Sequence, residues 1–191
     1  MSAGQDEPRA QPATFVGGAV GPWEVADVRT LRGPALEPAL RLAIHPGPAA
    51  APAAGHAWAL RGVASNLRYT TAGELKLLRA RQPPLGRAEA RLGALIPIRK
   101  CAAWWELAQD ERRALMEETS RHTAIGLEYL PQIARKLFHS RDLGEPFDFL
   151  TWFEFAPEHE PLFDELLARL RASAEWRWVE REVDVRVTRP A

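Results

Sequence analysis

Cysteine is almost missing from this 191-residue chain; Cys101 is the only one. One thiol excludes an intrachain disulfide framework, a Cys-based zinc site and an iron–sulfur cluster held by a single chain. It fits a reducing compartment. Net charge is missing too. Lys+Arg and Asp+Glu number 25 each, spread along the chain without a basic arm or an acidic tail. That balance excludes a nucleic-acid binder that lives by phosphate neutralisation. No apolar run is long enough to span a membrane. The N-terminal MSAGQDEPRAQPAT lacks the charged start and apolar core of a secretory signal. The chain therefore reads as soluble and cytoplasmic. Also missing are a Gly-rich phosphate loop, GxGxxG, a G-x-S-x-G elbow and H-E-x-x-H, so the common nucleotide and hydrolase chemistries have no footing. Tyrosine is scarce, with two against seven Trp.

What is present is globular: 46% hydrophobic and 26% charged residues, enough for one domain. Residues 1–14 read as a disordered tail, and 15–191 as a single domain. Short apolar segments at Thr14–Ala19 and Trp23–Leu31 have strand character. The Pro/Ala stretch Ile44–Gly55 reads as a loop. His56–Tyr69 reads as a strand, followed by a helix N-capped by Thr70-Thr71 and stopped by Pro83-Pro84. GRAEARLGALIPIRK alternates as a strand should. Leu107–His122 reads as a helix that Gly126 ends, and Tyr129–Phe138 as a shorter one. Phe147–Phe155 reads as a strand. EPLFDELLARLRAS has helical spacing of Leu162, Phe163, Leu166, Leu167 and Leu170, and WRWVEREVDVRVTR alternates Val179, Val183, Val185 and Val187. Two strand–helix–strand units predict an α+β fold: two ferredoxin-like halves, antiparallel sheets covered by helices. The division falls at residues 15–100, a reduced N-terminal half, and 101–191.

Of the five histidines, His45, His56 and His159 sit in exposed contexts. His122 follows Leu115 and Thr119 at helical intervals and so should turn inward. A lone inward histidine is more often a hydrogen-bonded core residue than a ligand, but a neutral imidazole is also an axial ligand for haem iron. Thirteen residues later stands Arg135, among Ile133, Ala134, Leu137 and Phe138. A cation there either snorkels to water or faces a cavity and meets an anion, because an unpaired buried charge is costly.

GLEYLPQIARKLFHSRDLGEPFDFLTWFEFAP, with ERRALMEETSRH before it and EWRWVEREVDVR after it, resembles the chlorite dismutase family, and in particular its short-chain dimeric branch (dimeric α/β-barrel type). The resemblance runs from about Trp58 to Arg189 and is strongest from Ile96 to Arg186. It implies haem b with His122 as the iron ligand, and Glu175 as the carboxylate that accepts a hydrogen bond from that imidazole. Arg135 is implied as the catalytic residue that faces substrate. Lys100 is implied at a haem propionate, Trp104 and Trp105 near the haem edge, and Tyr69 and Trp152 close to the pocket. Arg135 separates the chain from the related coproheme decarboxylases, which carry Gln there and need a reactive Tyr. The distal Asp motif of the dye-decolorising peroxidases is not seen.

The resemblance implies conversion of chlorite to chloride and dioxygen through a ferryl haem and a transient hypochlorite that Arg135 retains, by a homodimer without nucleic-acid or membrane partners. Two other readings stay open. One is a haem protein of this fold with a weak peroxidase or a haem- or ligand-sensing role. The other is a haemless interaction protein, which the presence of His122, Glu175 and Arg135 together disfavours.

Overall fold

The computed structural model describes residues 11–47, 55–64 and 69–190. Among the described residues eight strands form a closed antiparallel barrel. They are β1 (Gln11–Gly18), β2 (Trp23–Arg32), β3 (Arg41–Pro46), β4 (Trp58–Ala64), β5 (Leu92–Lys100), β6 (Ala134–His139), β7 (Phe149–Phe155) and β8 (Val179–Thr188). The helices are α1 (Ala72–Arg81), α2 (Ala102–Glu106), α3 (Gln109–Arg113), α4 (His122–Glu128) and α5 (Glu160–Arg171). Around the barrel the order is β1-β3-β2-β8-β5-β7-β6-β4. It divides into two ferredoxin-like halves, β4-β1-β3-β2 and β8-β5-β7-β6, as the sequence predicts. No helix follows β1 or, among the described residues, β3, which is the expected reduction of the first half.

Alternation along the strands sorts the core. Phe15, Trp23, Trp58, Leu60, Leu95, Leu150, Trp152 and the Val183/Val185/Val187 row fill the barrel. Ile96, Ile98, Phe153 and Phe155 point the other way and pack under α5, whose Phe163, Leu166, Leu167 and Leu170 share one buried stripe. Burying the barrel rows removes roughly 1.5–3 kcal/mol of exposed apolar surface per large side chain. Glycine makes the closure possible, since a Cβ on Gly17 would stand 2.1 Å from the Trp58 ring. On β8 the residues between the valines turn outward. There Arg171 of α5 meets Glu182 at 2.7 Å and Asp184 at 3.1 Å, zipping that helix to the sheet.

Several expectations need correction. Residues 11–14 belong to β1, while residues 1–10 of the expected tail lie outside the described residues. The expected loop at Ile44–Gly55 begins with the end of β3, and its residues 48–54 are not described. The expected strand His56–Tyr69 is β4, with residues 65–68 not described. The strand expected to complete a unit with it, β5, pairs with β7 and β8, so β5 goes with the second half and not with the first. Helix α1 links the halves rather than sitting inside one. Tyr129–Phe138 is not a helix, because Ala134–His139 pairs with β7 along its whole length. The ladder overrides the local helix propensity of Ala, Lys and Leu. Leu107–His122 is broken into α3, a π-helical turn (Ala114–Thr119) and a left-handed Arg121 with φ of 54°. His122 consequently opens α4 instead of closing the preceding helix. Gly126 lies within α4 and does not end it.

Candidate active site

Helices α1, α4 and α5 stand off the outer face of β5, β7 and β6. A cavity of about 570 Å³ lies between, within the usual size of a small-molecule or cofactor site. Its walls are mostly apolar, with Leu75, Leu78, Ile96, Ile98, Leu137 and Phe153 prominent. Among the described residues no group of three or more His, Cys, Asp or Glu is placed to hold a metal ion. No helix among them is long and apolar enough to cross a membrane.

One wall is a buried relay of charge. His122 Nδ1 lies 2.7 Å from Glu175 Oε2, and Lys100 Nζ donates to Glu175 Oε1 at 2.6 Å. Glu175 also receives from Ser120 Oγ a fixed backbone, its amide donating to that hydroxyl at 2.8 Å. Burial would raise the Glu175 pKa. The charges and hydrogen bonds of His122 and Lys100 outweigh it and hold the group down at about 2. A carboxylate only accepts, so Nδ1 carries the hydrogen and Nε2 is the ring nitrogen left to bind a ligand. An imidazole with its tautomer fixed by a carboxylate is how proteins present an axial ligand to a metal.

Arg135 enters from the opposite, β6 side. Its guanidinium rests against Gly126, where a Cβ would stand 2.2 Å from Nη1. Gly126 follows His122 by four residues, so both groups meet the same face of α4. Burial lowers the Arg135 pKa and the charge of Glu117 works the other way, but the side chain stays a cation. Its backbone carbonyl accepts from Gln82 Nε2 at 2.9 Å, tying the end of α1 to β6. The start of α1 is held by the predicted cap. Thr71 Oγ1 accepts from the Glu74 amide, and Glu74 accepts in turn from the Thr71 amide. Arg113 grips Glu74 with two bonds of 2.8 Å and also reaches the Tyr69 carbonyl. That grip holds Glu74 down at about 2.

The structure thus brings His122, Glu175, Lys100, Trp104, Tyr69 and Arg135 to one cavity. The neighbours of Lys100 in the structure are Glu175 and Trp104. Its side chain is 3% exposed, with the ammonium bonded to Glu175 and seated 4.6 Å over the Trp104 ring. The tryptophan pair separates. Trp104 is fully buried against the cavity, its Nε1 without a hydrogen-bond partner among the described residues. Trp105 lies outside, stacked on Phe149 and under Arg141 at 4.1 Å, with its indole N–H on Asp148. Trp152 faces the barrel, because even-numbered positions of β7 point inward. Sequence reasoning missed Gln82, Glu117 and Trp176, all on the cavity wall. No motif signals Gln82 or Glu117, which the approach of α1 and the break at Arg121 bring there; Trp176 follows Glu175 in the turn before β8.

Comparison with known proteins agrees with this architecture. A sequence model of the family described as chlorite dismutase matches residues 56–190. The chain is similar to the crystal structure of a dimeric chlorite dismutase from Nitrobacter winogradskyi, at 53% identity and a TM-score of 0.86, covering 93% of this chain and 99% of that one. A chlorite dismutase from Candidatus Nitrospira defluvii, solved in complex with imidazole, shares the fold at 21% identity and a TM-score of 0.64, over 94% and 91% of the two chains. The chlorite dismutase of Ideonella dechloratans is 39% identical over 64 residues, 34% of this chain, and the match spans about a fifth of that relative, 21%. With its barrel, its cavity and these matches, the chain belongs to the chlorite dismutase family.

Proposed function

We propose that this protein is a haem b-dependent chlorite dismutase that converts chlorite to chloride and dioxygen. The observation that carries the reading is the meeting of His122, backed by Glu175, with the cation of Arg135 in one apolar cavity. The residues fit haem. A single histidine with an oriented lone pair cannot hold a bare ion, but it suffices for an iron that brings a macrocycle with it. The cavity has matching size and apolar walls.

When bound, haem supplies the oxygen-transfer chemistry at iron. The rest is work for this chain. His122 offers Nε2 to the iron. Glu175 keeps the Nδ1 hydrogen on the ring and makes the imidazole a stronger donor. Lys100 keeps Glu175 ionised inside the protein. Arg135 attracts the chlorite anion into a water-poor site, where a charge interaction is much stronger than in water. It then holds the chlorine-containing anion beside the reaction centre until both oxygens have been joined. Proximity is the decisive contribution at that stage, because an anion that escapes cannot complete the reaction. By similarity to the dimeric relative we place two copies in the working assembly.

Haemin titration followed by an oxygen electrode tests the reading. The wild type should take up haemin and release dioxygen on addition of chlorite. His122→Ala should lose most haemin affinity, whereas Arg135→Ala should keep haemin and release far less dioxygen. Haemin uptake without dioxygen would replace this reading by a haem protein with a peroxidase or sensing role. No uptake would remove both. Light scattering should give twice the 21.3 kDa chain mass.

A further inference from the structure

Glu117 is a buried carboxylate on the cavity wall that the proposed chemistry does not call upon. Its oxygens accept from the Thr123 amide at 2.9 and 3.0 Å and from the Thr123 hydroxyl. Thr123 is the second residue of α4, directly after His122. Amides in the first turn of a helix have no acceptor within it and normally rely on the side chain of the N-cap residue. Here that residue is Arg121, left-handed and without a side-chain bond to the helix. Such a position is uncommon for a residue with a side chain and is held only by its surroundings. Glu117 is part of what holds it. Its carbonyl accepts from the Arg121 amide at 3.0 Å, and its carboxylate does the capping that Arg121 cannot. The π-helical turn that carries Glu117 belongs to a type found often at functional sites.

We propose that Glu117 is a positioning residue for His122. It fixes the first turn of α4, and with it the backbone that carries the imidazole, while Glu175 fixes the ring. Two carboxylates from separate segments thus define one histidine: Glu175 sets its tautomer and tilt, and Glu117 sets its place on the cavity wall. A negative charge at the N-terminus of α4 is also favoured by the helix dipole. The inference rests on His122 being the haem ligand.

Glu117→Ala removes every acceptor, whereas Glu117→Gln retains one oxygen for the Thr123 amide. In the protein without haem, hydrogen exchange at the Thr123 amide should quicken in the alanine variant and stay near the wild-type rate in the glutamine variant. In the haemin-loaded protein, transfer of haem to an apomyoglobin scavenger should be about 10–100-fold faster for Glu117→Ala. Glu117→Gln should recover most of that loss, and the iron EPR spectrum of the alanine variant should shift. Leu60→Ala, in the barrel far along the chain from α4, serves as a control for lost stability alone. Equal haem transfer and unchanged EPR in Glu117→Ala, beside a lowered melting temperature as in Leu60→Ala, would reduce Glu117 to a structural cap and overturn the inference. Failure of the wild type to take up haemin would overturn the reading of His122 as well.

Discussion

Counted in chain order within each half, the strands lie fourth, first, third, second: β4-β1-β3-β2 in the first half and β8-β5-β7-β6 in the second. The inward faces of both do the same work and share one aromatic core. The outward faces differ. In the second half α4 and α5 cover the sheet, bury a second core and leave the cavity beside it. In the first half β2 is exposed from Glu24 onward apart from Val25, with Val28 and Leu31 facing out. The same strand order therefore yields a site only where helices stand off the sheet. Only there can opposed charges such as Lys100 and Glu175 be enclosed together.

Removing that enclosed charge should have the largest effect on the contrast. Glu175→Gln keeps the shape but leaves the Lys100 ammonium buried without its counter-charge, a loss of about 3–5 kcal/mol in urea melts at pH 7. The acid side gives a second reading. Glu175 has a depressed pKa in the folded chain, so its contribution is present above its ordinary carboxylate pKa and is lost as pH falls through about 2. Its share of wild-type stability, on the order of 3 kcal/mol, should fade between pH 4.5 and 2. Glu175→Gln should show a flatter profile over that window. Parallel profiles would mean that the buried relay does not stabilise the second half.

Legibility did not follow the same division. In the second half the motif residues keep close spacing and the strands alternate cleanly, as with Phe149–Phe155 and with Arg135 thirteen positions after His122. In the first half β1, β2 and β4 were legible as strands and β3 was not. β3 is six residues long and ends in His45 and Pro46, next to a Pro/Ala stretch that masks it. In the second half β6 read as a helix because its residues favour one, and the pairing with β7 that decides otherwise is not a local property. Glu175 was legible as the partner of His122. The union of Lys100 with it, across 75 residues, was not. It depends on the last outward position of β5 meeting the turn before β8. Glu117 was hidden for another reason: nothing in the sequence announces a left-handed Arg121.

Two glycines pose a similar steric problem in the two halves with different results. Gly17→Ala would drive a methyl into the Trp58 ring, which is confined in the barrel. Overpacking of this kind costs about 1–3 kcal/mol, and at about 2–4 °C per kcal/mol the melting temperature should fall by several degrees. Dioxygen release per bound haem should not change. Gly126→Ala meets the free end of Arg135 instead. That end can swing away, and alanine suits a helix better than glycine by about 0.5–1 kcal/mol, so stability should hold. The displaced guanidinium should lower chlorite turnover about 10–100-fold at unchanged haemin uptake. Lost stability in Gly126→Ala with full turnover would show that Arg135 does not act from the place it occupies.

The smallest effect belongs to the bare face. Arg41 and Glu24 pair at 3.5 Å across β3 and β2, but their side chains are 36% and 58% exposed. Water screens such a pair, and its attraction is offset by the entropy of holding two long side chains in place. Glu24→Gln should change urea-melt stability by no more than about 0.5 kcal/mol, and added salt should narrow even that difference. Geometry alone would not predict this ranking, because both pairs qualify as salt bridges. The distinction lies in what surrounds them: Glu175 has α4, the turn before β8 and two indole rings packed about Lys100, whereas Glu24 has solvent. A loss above about 1 kcal/mol in Glu24→Gln would mean that surface charge holds the first half together, and enclosure by helices would no longer explain why the two faces differ.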